Sequence, residues 1–370
     1  MDHNALTPDV LRELRTPRPY PAVSLTMPTH RRDPYHDQDT VRLRNLLAEA
    51  WRRLEEEPGL DRAARTAVKS RIGRAVAEVD LRRTLDGLLI LADTLDYRIW
   101  YLPREVPEQV VVSDTYLTRN LVAATAQSRP YWVLSVAADR ATLWDGSGDT
   151  LDERHDDGFP MSPPRDTWDP EREERVGDPG AFRDEETRQF LRSVDRATAS
   201  VLARHPRPLY VVGLAPALAL LEDAGSATHG AAGRLVKGGL AEGPASVLRR
   251  EIGPVRDAHD RREQRELFDK LDAAKGRRAF AAGLDEVWES VRERRAEVIA
   301  VEDHYRQSVR ISEGHLVPVE GRDGQGPGVR VQDDIVDELV ESALDGGAEV
   351  VFLPDDALAG QERIAAVLRY

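Results

Sequence analysis

The chain has no cysteine among its 370 residues. Disulfides, thiolate metal ligands and cysteine nucleophiles are therefore excluded. No stretch approaches the ~18 consecutive apolar residues of a membrane-spanning helix. The opening residues, MDHNALTPDVLREL, lack the basic start and apolar segment of a secretory signal, so the expected compartment is the cytoplasm. The sequence also lacks the glycine patterns of phosphate and dinucleotide loops, the GxSxG of a serine hydrolase and the HExxH of a zinc protease. Gly225 to Gly243 is glycine-rich, but Lys237 does not sit in a Walker arrangement. No cofactor is expected. Positive charge is in deficit: 52 Lys and Arg stand against 66 Asp and Glu, for a formal net charge of −14. That balance counts against nonspecific nucleic-acid binding, which depends on clustered cations, but leaves room for a local basic face.

With 41% hydrophobic and 32% charged residues, the composition is globular, and the length calls for two or three domains. Near the start, a helix is expected from Thr7, then a strand from Ala22 to Met27 ended by Pro28. Two long helices follow, about Asp39 to Glu57 and Asp61 to Asp80, parted by Pro58-Gly59. Val41, Leu43, Leu46, Leu47, Ala50, Trp51 and Leu54 form the apolar face of the first. Gly87 to Leu91, Tyr97 to Leu102 and Val110 to Val112 read as strands. A new region opens near Arg129-Pro130 with a strand pair, Tyr131 to Ala137 and Ala141 to Trp144. The acidic, Pro- and Gly-rich stretch Asp145 to Gly180 is too long for an ordinary connection. It leads to a helix from about Asp184 to Arg204, a strand at Leu209 to Val212 and a helix from Pro216. Ile252-Gly253-Pro254 suggests a break. Helices at Arg261 to Ala274 and Arg278 to Arg294 come next, then a strand at Val298 to Val301 and a hairpin over Gln307 to Val319. Gly321 to Gly328 is a loop.

The final segment is the most regular. Ile335, Val336, Leu339, Val340, Ala343 and Leu344 recur at helical period, and Asp333 and Asp334 suit the helix start. Gly346 and Gly347 end the helix, Val350 to Leu353 form a buried strand closed by Pro354, and a second apolar run covers Ile364 to Leu368. This helix–Gly-Gly–AEVVFLP–DDALA–RIAAVLRY pattern resembles the C-terminal domain of the bacterial relatives of archaeo-eukaryotic release factor and Pelota. Three more stretches resemble the same family in the same order. Residues 22–47 carry the PTHR turn (Pro28 to Arg31) and the run Arg42-Leu43-Arg44-Asn45-Leu46-Leu47. Residues 190–213 match a helix–strand pair of the central domain, and residues 238–255 match that domain's end.

The resemblance implies an α/β fold in three domains: an N-terminal α/β domain (1–128), a ribonuclease-H-like central domain (129–258) and an L7Ae-like C-terminal domain (259–370). It also implies a ribosome-associated, release-factor-like protein that works near the A site in hibernation, rescue or stress. Ribosomal or transfer RNA and a translational GTPase are the implied partners. Release factors of this lineage carry a Gly-Gly-Gln loop in the central domain, whose glycines permit close approach to the ester and whose glutamine helps place the water. No Gly-Gly-Gln occurs here. Its positional counterpart holds Gly177, Gly180, Ala181 and Phe182, in acidic surroundings that RNA phosphates would repel. Loss of peptidyl-tRNA hydrolysis is therefore expected. The alternatives are a hydrolase with a diverged loop, or a protein-interaction scaffold that no longer binds ribosomes.

The candidate RNA contacts are Arg31, Arg32, Arg42, Arg44, Arg62, Arg65 and Lys69. Arg62, Arg65 and Lys69 share one helical side, as phosphate contacts require. A solvated, internally paired surface is the competing reading. His30 and His36 lie near Asp33, Asp37 and Asp39, His155 beside Asp156, and His304 after Asp303. None has metal-ligand spacing, and no bound metal is expected.

Overall fold

The computed structural model describes residues 8–16, 18–31, 36–57, 59–148, 150–163, 179–312, 315–319, 331–332 and 334–370. It is a mixed α/β protein that divides into two compact units. One joins residues 1–127 with 269–370, and the other holds residues 128–268. Each sheet is built from strands of one contiguous stretch. Among the described residues no helix is long and apolar enough to cross a membrane.

In the first stretch the order is α1 (Pro8–Arg15), β1 (Ala22–Pro28), α2 (His36–Glu56), α3 (Arg62–Glu78), β2 (Gly87–Ala92), β3 (Tyr97–Leu102), β4 (Gln109–Ser113) and α4 (Arg119–Gln127). The strands form an antiparallel sheet in the order β3-β2-β1-β4. Both faces are covered, which is why β2 reads Gly-Leu-Leu-Ile-Leu-Ala without polar alternation. Val23, Leu25, Leu88 and Ile90 meet α2 and α3, whereas Leu89 and Leu91 join Leu14, Trp100 and Leu121. On α2, Leu43, Leu46, Ala50 and Leu54 are buried, but Val41 and Trp51 are exposed. Two residues before Leu43 is some 200° around a helix and one residue past Ala50 is some 100°, so neither position can face the sheet.

The second unit contains β5 (Pro130–Val136), β6 (Ala141–Ser147), β7 (Thr150–Glu153), α5 (Pro179–Arg204), β8 (Leu209–Gly213), α6 (Ala215–Ala224), β9 (Gly233–Val236) and most of α7 (Ala245–Gly276). Its sheet runs β7-β6-β5-β8-β9, with β5, β8 and β9 parallel. Two features depart from the sequence expectation. Helix α5 begins at Pro179, five residues early, because proline at the first helical position has its φ preset and lacks an N–H that would go unpaired anyway. Helix α7 runs unbroken past Ile252-Gly253-Pro254. Pro254 forfeits one backbone hydrogen bond there, but Leu248 and Ile252 are fully buried against the sheet, and tertiary packing holds the segment helical.

The last stretch comprises β10 (Phe280–Ala282), α8 (Leu284–Arg292), β11 (Ala296–Glu302), β12 (Val309–Ser312), β13 (His315–Pro318), β14 (Val331–Gln332), α9 (Ile335–Asp345), β15 (Glu349–Leu353) and β16 (Ile364–Leu368). The main sheet is β10-β16-β11-β15, and β11 and β15 are its parallel pair. The helix expected from Arg278 is instead a strand followed by a shorter helix. Arg278 and Gly283 both have positive φ, which interrupts helical propagation. Asp334 caps α9 by accepting from the Val336 N–H at 3.2 Å, and Gly347 at φ +74° ends it, as the sequence suggests. Residues 321–328 and Asp333 lie outside the described residues.

Candidate nucleic-acid interface

The expected RNA-contact residues fall into two groups. Arg31 and Arg42 are engaged within the protein. Arg31 makes a two-pronged contact with Asp86, and Arg42 reaches the Pro28 carbonyl at 3.2 Å, Asp39 at 3.3 Å and Glu108 at 3.4 Å. Asp39 is fully buried; it accepts from the His30 backbone N–H and faces the His30 ring at 2.9 Å. This carboxylate ties the turn after β1 to the first turn of α2. Arg65 donates to the Leu54 and Leu60 carbonyls at 2.9 and 3.2 Å and pairs with Glu55 at 3.4 Å. Lys69 pairs with the same Glu55, and that contact holds the Glu55 carboxyl below its ordinary range. Arg65 and Lys69 thus clamp α3 onto the end of α2.

Arg44 and Arg62 are exposed and make no side-chain hydrogen bond or ion pair among the described residues. The same holds for Arg82 and Arg83, in the 3-10 turn Leu81–Arg83 after α3. Arg44 and Arg82 stand at the rim of a groove of about 520 Å³ whose floor includes Leu43, Leu47, Val76, Val79 and Leu81. Asp80 is the acid at that rim, and its side chain accepts from the Arg82 N–H at 3.1 Å. Of these four cations, Arg44 and Arg82 thus meet where the α2 mid-section approaches the end of α3, with Arg83 beside Arg82 in the chain, whereas Arg62 stands apart at the start of α3. Arg32 lies outside the described residues.

At the release-loop counterpart, Gly177 also lies outside the described residues. Gly180, Ala181 and Phe182 belong to the first turns of α5 rather than to a loop. A helical backbone has its carbonyls turned into the helix ladder and cannot offer the extended approach that a glycine loop gives. Among the described residues no group of three or more His, Asp or Glu side chains is arranged to hold a metal ion. His304 is paired with Asp355 at 2.8 Å on the surface.

Sequence reading missed a second concentration of charge. On α9, Asp334, Asp337 and Glu341 recur at spacings of three and four, and all are buried. Their cover is α4 and the turn before it. Asp337 accepts from the Arg119 N–H at 2.7 Å and the Thr118 N–H at 3.3 Å, so it caps α4 from another segment of the chain. Thr118 Oγ1 donates to Glu341 at 2.5 Å. The Arg119 guanidinium pairs with Asp334 at 3.3 Å and donates to the Tyr305 carbonyl. Nearby, Arg104 pairs with Asp303 at 3.2 Å, and burial pulls its guanidinium down. Burial raises the Asp334 carboxyl, against the pull of Arg119. Burial and Asp334 push Asp337 up to about 7, while burial and Asp337 push Glu341 up to about 9. The signal available in the sequence was three acids sharing one helical side.

The model of bacterial archaeo-eukaryotic release factor family 3 matches residues 130–295. Among solved structures, the archaeal translation termination factor aRF1 is similar at 16% identity, covering 100% of this chain and 99% of that one, with a TM-score of 0.26. Archaeoglobus fulgidus Pelota is similar at 18% identity over 76% of this chain and 79% of its own, with a TM-score of 0.34. A model of ribosome-bound archaeal Pelota with ABCE1 is similar at 13% identity over 98% and 94%, with a TM-score of 0.42. No curated protein matches the chain.

Proposed function

We propose that this chain, whose residues 130–295 match the model of bacterial archaeo-eukaryotic release factor family 3, is a member of that family and a ribosome-associated factor that does not hydrolyse peptidyl-tRNA. The family match of the central segment carries the reading. Two sequence facts separate it from a release factor: there is no Gly-Gly-Gln, and Ala181 and Phe182 cannot replace glycine and glutamine in placing a water at an ester. In this reading the protein occupies the region of the A site in hibernation, rescue or stress, in the cytoplasm. Ribosomal or transfer RNA is the contact, and a translational GTPase is a further partner. The three-domain division at 128/129 and 258/259, with a ribonuclease-H-like centre and an L7Ae-like end, belongs to the same proposal.

Arg44, Arg62, Arg82 and Arg83 are the cations best suited to phosphate, because none needs to abandon an internal partner among the described residues. Arg31, Arg42, Arg65 and Lys69 would each have to break an ion pair first. That pairing favours a second reading, an interaction scaffold without ribosome affinity. Release of labelled formyl-methionine from programmed ribosomes tests the catalytic half. Release at the buffer rate is expected. Stimulation that disappears on changing Gly180 or Phe182 would restore the hydrolase reading.

A further inference from the structure

We propose that the contact between α9 and the start of α4 is a proton-linked clasp, with Glu341 as the group that takes up a proton when residues 1–127 and 269–370 come together. The geometry carries this. Three carboxylates line the buried side of one helix, and among the described residues only one of them has an arginine directly against it, Asp334 with Arg119. Asp337 is compensated by two backbone N–H groups at the N-terminus of α4, where a helix favours negative charge. Glu341 has the neutral hydroxyl of Thr118 as its hydrogen-bond partner.

The other charged or titratable groups facing this cluster do not change the order. From α1, Arg15 is drawn toward Glu341 but pairs at 3.2 Å with the exposed Asp345, which itself opposes ionisation of Glu341. From the segment after β11, Arg306 acts on Asp334 and donates to Gln109 across the same joint, and the Tyr305 carbonyl accepts from Arg119. Arg104 faces Asp303 and opposes Arg119 rather than serving Glu341. Glu341 is thus the least compensated of the three, and α4 supplies the cover over it.

The sign follows. When the cover lifts, Glu341 meets water and returns to the ordinary carboxyl range, so the open form binds fewer protons than the closed form at neutral pH. Closure is then favoured at lower pH. It weakens roughly tenfold per pH unit between the ordinary value of Glu and the raised one. The clasp decides whether the two stretches move as one body, and the protein carries its own pH dependence for that choice.

The test is amide hydrogen exchange on the full chain, followed by mass spectrometry and corrected for the intrinsic pH dependence of exchange. Protection of α4 and of the outer side of α9 should fall at least about 100-fold between about pH 6 and about pH 8, while β8 in the other unit stays constant. Glu341→Gln, a neutral copy of the protonated acid, should take about tenfold per pH unit out of the fall across this whole range, leaving only the share of Asp337. A flat wild-type profile overturns the proposal, as does a Glu341→Gln profile with the wild-type slope. Should Glu341→Gln fail to fold, the wild-type profile decides alone.

Discussion

Replacing Arg119 with methionine isolates the electrostatic part of the α4–α9 contact. Methionine keeps the apolar stem and removes the guanidinium. The side chain of Arg119 is 5% exposed and that of Asp334 is 2% exposed, so no water can take over. Removing one partner of a buried pair costs about 3–5 kcal/mol, because a charge is left without compensation. Asp334 has one escape, which is to bind a proton, and burial already pushes it that way. For a carboxyl of ordinary pKa near 3.9, that escape costs about 1.4 kcal/mol for each unit of pH above it. At about pH 8 protonation would cost about 5–6 kcal/mol, so the full penalty stands. At about pH 5 it costs only about 1.5 kcal/mol, to which the lost hydrogen bond to the Tyr305 carbonyl adds about 1. The variant should therefore lose about 4 kcal/mol at about pH 8 and about 2–3 at about pH 5. The sign agrees with linkage: a carboxyl raised in the folded state favours folding below its unfolded pKa and loses that contribution as pH rises. Urea unfolding by circular dichroism measures this, with the transition of residues 128–268 as internal control. A loss below about 1 kcal/mol, or an equal loss at both pH values, would refute the reasoning.

Arg65→Ala should lower thermal stability by about 2 kcal/mol, since it abandons the Leu54 and Leu60 carbonyls, whereas Arg62→Ala should change it by less than about 0.5; melting curves of the two variants decide. Gly225→Ala should destabilise residues 128–268 by about 2 kcal/mol in chemical denaturation, because its Cβ would fall 1.9 Å from Asp195, the carboxylate that receives the Ala227 N–H at 2.9 Å. An unchanged midpoint would mean that Asp195 moves aside freely. Arg44→Glu, Arg82→Glu and Arg83→Glu together should leave the fold intact, as all three are exposed, and should flatten the salt dependence of ribosome binding. Equal binding by the triple variant would locate the contact elsewhere.

The elements with one dry face were legible in the sequence. Helix α9 and strands β15 and β16 sit where the periodicity of residues 335–368 puts them, and the paired helices α2 and α3 part at Pro58-Gly59. The errors have local causes. Val41 and Trp51 are apolar but lie off the buried side of α2. Gly253-Pro254 is a strong breaker that burial of Leu248 and Ile252 overrides. Arg278 looked helical until the positive φ at Arg278 and Gly283 redirected the chain. For the site, charge type was readable and charge partners were not. Arg65 and Lys69 do share a side of α3, yet Glu55 on the neighbouring helix claims both. Asp337 and Glu341 gave no sign of burial in the sequence, because what covers them, Thr118 and Arg119, lies more than two hundred residues earlier.

Salt-dependent co-sedimentation of the full chain with 70S ribosomes decides whether it is a ribosome-associated factor. Binding is expected at low ionic strength and should weaken steeply as salt rises, because a few arginine–phosphate contacts carry it. A chain that stays in the supernatant at the lowest salt would contradict the ribosome reading and leave the interaction scaffold in its place.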